Sequence, residues 1–343
     1  MLIILGSRTV LMQVRKLQAT AGGTFVVTLP KDWVEKLKLK KGDLVETEFD
    51  EGSLVITPAN LPYTAESRSL DIDELKDKRF LGLSITASYI QGHDVTKIFS
   101  SSGKMQPHHK QWVREALEGL MGVEVSEDYA NHVVLLNLID PTKFKLRESL
   151  EKLSGAALAV LRDAILALEK SDNTLARDAY YRGNESARLY RLIMRLAFQA
   201  ATNRKLREEM AIPDISTVIV MTIATRELGR IAYYAMWIGQ HVAELTVKPE
   251  QNFISLIQRM TRVTADMQVQ ALKALLSRDL VSANSVFQKM PQVRQLYQSG
   301  FTLPTKYQEG DAYHLTLILR DLRAIAGYAV ALADDAVLGM FVE

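Results

Sequence analysis

The pattern of apolar and polar positions takes three forms along the chain. Up to Pro58 it is short-period and interrupted by turns. Residues 10–17 alternate, which predicts a short strand, and Gly22-Gly23 marks a turn. Phe25-Val26-Val27-Thr28-Leu29 is β-branched and strand-like. Pro30 suits the first turn of a helix whose apolar side is Trp33, Val34 and Leu37. Lys41-Gly42-Asp43 is a turn, and residues 44–49 and 53–57 read as a hairpin around Asp50-Glu51-Gly52. Residues 58–62 read as a linker.

Residues 71–141 are mixed, with a helix expected at 83–91, a strand at 95–99, a loop at 100–103, an amphipathic helix at 111–121 and a hairpin from 122–127 and 132–138. This predicts a small α/β connector. From about residue 145 apolar residues recur at helical spacing, as in Leu158, Leu161, Ile165 and Leu168. Helices are predicted at about 146–171, 173–203, 214–245, 250–278, 279–298 and 311–341, with Pro291 shortening or kinking its helix. This half is duplicated. Leu228, Ile231, Ala232, Tyr234 and Ala235 recur at the same offsets as Leu322, Ile325, Ala326, Tyr328 and Ala329. Each copy is then a three-helix antiparallel unit, over 145–246 and 250–343.

Composition narrows the chemistry. The 343 residues include no cysteine, which excludes disulfides, thiolate metal sites and cysteine nucleophiles and fits a reducing compartment. No apolar run approaches the roughly 20 residues of a membrane span, and no leader segment is recognisable, so a cytoplasmic protein without a membrane partner is expected. Met12 is a second candidate start beside Met1. Net charge is only +2, so any nucleic-acid signal must be local. It is local: between positions 8 and 41, Arg8, Arg15, Lys16, Lys31, Lys36, Lys38, Lys40 and Lys41 face only Asp32 and Glu35. Basic side chains on a two-stranded ribbon can neutralise phosphates in a groove. A solvated helix end, favoured by its dipole, is the competing reading of the lysines from Lys36 to Lys41.

Arg15-Lys16-Leu17, Gly23 to Trp33 with its Leu29-Pro30 helix start, Leu39-Lys40-Lys41-Gly42-Asp43-Leu44-Val45 and Leu54-Val55-Ile56 carry a resemblance to the AbrB/MazE/SpoVT swapped-hairpin family. The resemblance implies a domain over 8–60 in which two chains interleave, a homodimer, and DNA contact through Arg15, Lys16 and Lys31. Thr24 stands where DNA-binding members often have arginine, and Glu35 where a basic residue is common. Some relatives use the fold only to dimerise or to bind a protein.

The six helices in two repeats resemble the PhoU family of phosphate-signalling regulators. Leu228, Arg230, Ile231, Ala235 and Ile238, and Leu322, Ile325, Ala329 and Val330, keep the frame of the family's third-helix motif. An N-terminal swapped hairpin ahead of such a bundle is similar to archaeal regulators. The family's metal-binding carboxylates are replaced by Gly229, Tyr233, Arg323 and Gly327, and on the second helix by Gly183, Ala187 and Tyr190. No metal and no cofactor are therefore expected. Tyr233, Tyr234 and Tyr328 are either a partner-binding platform or interhelical packing. Arg188, Arg191 and Arg195 share a helix face that either binds an acidic partner, phosphate or DNA, or is simply solvated.

Little else suggests chemistry. His108-His109 reads as an exposed loop, His241 and His314 as helix positions, Asp334-Asp335 as a solvated face, and no nucleophile–base constellation stands out. The expected fold is multidomain α+β: a swapped-hairpin β module, a small α/β connector and tandem all-α three-helix bundles. The expected protein is not an enzyme. It is a DNA-binding transcriptional regulator of phosphate uptake or response, or alternatively a non-DNA-binding dimeric regulator that contacts a phosphate transporter or kinase.

Overall fold

The structure is a computed structural model, described here for residues 14–50, 52–59, 66–75 and 77–340. The chain divides at Thr64/Ala65 into two compact units.

In the first unit, β1 (Gln18–Ala19) pairs antiparallel with β2 (Phe25–Val26). Helix α1 (Lys31–Lys36) follows Pro30, whose fixed φ suits a helix start. Asp43 turns the chain by accepting the Lys40 backbone N–H at 2.7 Å. Strands β3 (Val45–Asp50) and β4 (Ser53–Pro58) then form a hairpin of six residue pairs. The strand expected at 10–17 is not seen in its described part: residues 14–17 are irregular and pairing begins at Gln18. Residues 10–13, and Arg8, lie outside the described residues.

The second unit opens with a four-stranded sheet of order β5-β6-β8-β7. Its elements are β5 (Ser67–Asp71), α2 (Lys78–Ile90), β6 (Val95–Phe99), α3 (Pro107–Glu118), β7 (Val123–Asp128) and β8 (His132–Asn137). Helix α2 is the crossover that lets β5 run parallel to β6. Leu81, Ile85, Tyr89, Ile98, Val113, Val133 and Leu135 form the core of this layer. Two sequence expectations are corrected here. Strand β5 was not anticipated, and α3 begins at Pro107 rather than 111, so His108 and His109 lie in its first turn and not on a loop.

The bundle comprises α4 (Leu146–Lys170), α5 (Asn173–Thr202), the short α6 (Arg204–Glu209), α7 (Ile215–Ala243), α8 (Gln251–Ser277), α9 (Leu280–Gly300) and α10 (Glu309–Met340). One continuous apolar core runs through it. The duplication has a physical basis at the first turn of each half. Helix α4 ends on Ser171 and α8 on Arg278, both left-handed, at φ 53° and 51°. Asp172 and Asp279 follow, and each accepts two backbone N–H groups to cap the next helix. Pro291 does not end its helix: α9 runs through it to Gly300. The third helices, α7 and α10, pack against each other, and Leu228, Ile231 and Ala235 of one and Leu322, Ile325 and Ala329 of the other are fully buried.

Candidate functional site

Groups singled out from the sequence fall in both units. In the first, Arg15 and Lys16 are exposed and precede β1, so they are not on a paired strand as expected. Lys31 opens α1, and its ammonium stands 3.5 Å from the Glu35 carboxylate. This ion pair lies in open solvent and contributes little. More telling is what the unit leaves uncovered. Phe25 is 65 %, Leu44 73 % and Phe49 86 % exposed, and among residues with described side chains Pro58 alone is buried. Two hairpins and one short helix with their large apolar groups in water do not make a stable core.

In the second unit, the row of arginines on α5 is not a solvated face. Arg195 is fully buried, with 0 % exposure. Its guanidinium donates to the carbonyls of Tyr89 at 2.7 Å, His93 at 3.0 Å and Gly92 at 3.1 Å, and lies 3.4 Å from Asp94 Oδ1. These carbonyls close the C-terminal end of α2, where helix carbonyls lack intrahelical partners. Arg191 donates to Gly119 O at 2.9 Å, and Arg188 to Leu120 O at 3.4 Å and to Glu185. Burial lowers the Arg191 pKa. The surface reading of these three arginines is thereby corrected: a planar five-donor group suits a cluster of carbonyls, and they bind the α/β layer to the bundle.

The tyrosines do meet. Tyr234 of α7 stacks on Tyr328 of α10 with ring centroids 5.7 Å apart, and Tyr233 is edge-on to Tyr234 at 5.4 Å. Trp237 continues the series to Tyr233 at 6.1 Å and to His241 at 5.8 Å. Tyr233 is exposed, whereas Tyr234 and Tyr328 are half-buried, so the face combines packing with an accessible aromatic surface.

Comparison with known proteins fits this architecture. Residues 150–242 match the PhoU domain. Residues 18–63 match the family described as antidote-toxin recognition MazE, bacterial antitoxin. Two solved structures are similar. PhoU from Pseudomonas aeruginosa shares 19 % identity, covers 56 % of this chain and 93 % of its own, and has a TM-score of 0.50. The phosphate transport system regulatory protein PhoU from Streptococcus pneumoniae shares 19 % identity over 58 % of this chain and 94 % of its own, with a TM-score of 0.49. No curated protein matches the chain. The fold of the helical half is PhoU-like, behind a small MazE-like strand module.

The PhoU-like frame permits a test of the metal positions. A Cβ at Gly229 would lie 2.6 Å from the Tyr190 ring, so that position is closed by its neighbour. Tyr233, Arg323 and Gly327 supply no carboxylate, and among the described residues no group of three or more His, Cys, Asp or Glu side chains is placed to hold an ion. A hard cation needs several oxygen donors, so the residues here do not fit the family's cluster.

Sequence reasoning missed two buried polar arrangements on the same PhoU-like helices. His241 Nδ1 is 3.3 Å from His314 Nδ1, and His241 Nε2 is 3.5 Å from Asp321 Oδ2. Asp321 is wholly buried, and its Oδ1 accepts from Arg320 Nε at 2.9 Å and Nη2 at 2.7 Å. Burial, then the neighbouring His241, lowers the His314 pKa. Asp335 is the second case, and its reading as a solvated face is corrected. Its Oδ2 is buried without a hydrogen-bond partner, and burial followed by Glu227 and Asp334 pushes its pKa up to about 6. Nothing in their local sequence marks either site, because His314 and Asp321 lie more than seventy residues from His241, and Glu227 more than seventy from Asp335.

Proposed function

We propose that this chain is a dimeric, non-catalytic regulator of phosphate uptake or response. In this reading the N-terminal module, over 8–60, binds DNA through Arg15, Lys16 and Lys31. The connector, 71–141, joins it to the two helical repeats, 145–246 and 250–343, which receive a signal through a protein partner at the face of Tyr233, Tyr234 and Tyr328. The protein works in the cytoplasm and needs no cofactor; no helix among the described residues is long and apolar enough to cross a membrane.

The observation that carries this reading is the uncovered apolar surface of a module that also bears exposed Arg15, Lys16 and Lys31. A second copy covering that surface doubles the basic groups on one body, and paired basic groups suit a duplex. The match of 18–63 to a MazE antitoxin family and of 150–242 to the PhoU domain supports it. A band-shift series across salt concentration tests it. Affinity should fall steeply with salt, and each of Arg15→Ala and Lys16→Ala should flatten the slope by about one unit. Absence of duplex binding at low salt would sink the DNA reading.

Thr24 and Glu35, which stand where DNA-binding relatives often carry basic residues, favour an alternative, in which the module only dimerises and the bundle regulates a phosphate transporter or kinase. Under it, Tyr233→Ala would abolish binding to the purified transporter ATPase or kinase, and no DNA affinity would be measured at any salt.

A further inference from the structure

The seam between α7 and α10 carries a titratable pair at each end, and the two pairs are related by the internal repeat. The offset that takes Leu228 to Leu322 takes Tyr234 to Tyr328, Glu227 to Asp321 and His241 to Asp335. Tyr234 and Tyr328, equivalent by this offset, meet at the middle of the seam. Antiparallel helices that meet at equivalent residues have a local two-fold there. That two-fold turns the contact of His241 with Asp321 into a contact of Asp335 with Glu227. His241 Nε2 is 3.5 Å from Asp321 Oδ2, and at the other end Asp335 Oδ2 is buried without a hydrogen-bond partner, with Glu227 the first of the acidic charges that act on it. One end therefore opposes an imidazole to a carboxylate, and the other opposes two carboxylates.

We propose that this seam is a proton-operated rocker, in which acidification tightens the Glu227–Asp335 end and loosens the His241–His314 end about the Tyr234–Tyr328 stack. At the acid end, two carboxylates cannot both be charged in a half-buried site without repulsion. One proton relieves it and gives Asp335 Oδ2, which has no partner, a hydrogen to share. Arg226 and Arg230 act on Glu227, and Asp334 on Asp335, and they complete the charges at this end.

At the other end, the buried Asp321 Oδ2 has no hydrogen-bond partner elsewhere, and His241 Nε2 stands 3.5 Å from it. That orients His241 with Nε2–H toward it and leaves a lone pair on Nδ1. His314 must then donate from its own Nδ1. The ring centroids are 5.5 Å apart with the nitrogens at 3.3 Å, so the nitrogens lie close to the line joining the rings. That is hydrogen-bond geometry; two ligands of one metal ion would instead converge to one side. The neutral pair is complete. Full protonation of both rings would set two N–H groups and two positive charges head-on. Glu244 and Asp311 favour charge on His314, but Asp311 is held by Thr246 through N–H at 2.8 Å and Oγ1 at 2.7 Å. Arg320 donates to Asp321 Oδ1 at 2.7 Å. Burial outweighs the acidic neighbours.

Hydrogen exchange of the full chain at pH 5.5 and 7.5, corrected for intrinsic rates, tests the rocker. Going to pH 5.5, amides around Glu227 and Asp335 should slow, and those around His241 and His314 should quicken, each by roughly tenfold. Asp335→Asn should abolish the first response only, and His314→Gln the second only. Imidazole nitrogen spectra at pH 7.5 should show His241 protonated on Nε2 and His314 on Nδ1, a readout that needs no variant to fold. Responses of the same sign at both ends, no response, the reverse tautomers, or loss of the histidine response on adding a chelator would each overturn the proposal.

Discussion

Tyr234 stacks on Tyr328 with ring planes inclined by 24°, and the two residues hold the same place in the two repeats. The stack is thus a contact of the fold with its own duplicate. Burial first, then the neighbouring phenol of Tyr328, raises the Tyr234 pKa, which marks a close and partly dry pair. In a double-mutant cycle of Tyr234→Ala and Tyr328→Ala, measured by urea unfolding, the coupling should be about 1 kcal/mol. Strict additivity would mean that the rings are merely adjacent.

Arg195 holds three carbonyls at the end of α2 and sits beside Asp94. Removing the guanidinium takes a donor from the Tyr89 and Gly92 carbonyls, which keep the Gly92 N–H and the Gln199 amide, and from the His93 carbonyl in a dry seam. Arg195→Met should lower stability by about 3 kcal/mol, and exchange of the α2 amides should rise before that of α7. Gly92 tests the same seam from the other side. Its φ is +91°, and a Cβ there would lie 2.7 Å from Gln199 Cγ. Gly92→Ala should therefore destabilise in the same direction, and a neutral result would show that the layer docks loosely.

The helices were legible because their signals are local. Apolar spacing gave six long helices within a few residues of their ends, and Asp172, Asp214 and Asp279 stand at starts where a side-chain acceptor is wanted. Strand β5 was not legible: Ser67-Arg68-Ser69-Leu70-Asp71 has one apolar residue, and its parallel pairing with β6 is a tertiary choice. The α3 start was readable in principle, since Pro107 suits a first helical position. Arg188, Arg191 and Arg195 were visible as a shared face, but not that the face meets carbonyls contributed from residues 89 to 120. The same holds for His241 and Asp335, whose character depends on partners on another helix.

Asp335 makes stability depend on pH in a definite sense. Its pKa in the folded chain is about 6, against an ordinary 3.8. A group whose pKa is raised on folding stabilises when protonated, so its contribution is present below about pH 4 and is lost as pH rises toward 6. Asp335→Asn keeps the shape without the charge. Its Tm should exceed that of the parent at pH 7.5, and the difference should shrink to nothing as the pH approaches 4. An unchanged or lower Tm at pH 7.5 would show that the carboxylate is stabilised by charges acting in the opposite sense.

The uncovered side chains of the first unit yield the most direct test of assembly. Phe25, Leu44 and Phe49 are each more than half exposed, although strands rich in such residues form where one face is covered. If a second copy covers them, each large side chain contributes about 2 kcal/mol to association, or roughly thirtyfold in dissociation constant. Sedimentation of the full chain should then give a dimer, and Phe25→Asp or Leu44→Asp should shift it to monomer at micromolar concentration. Far-ultraviolet helicity should hold in both variants, because the helical unit has its own continuous core. A parent chain that sediments as a monomer while the amides of β3 and β4 stay protected would mean that the hairpins are stable uncovered, and the dimeric reading would fall with it.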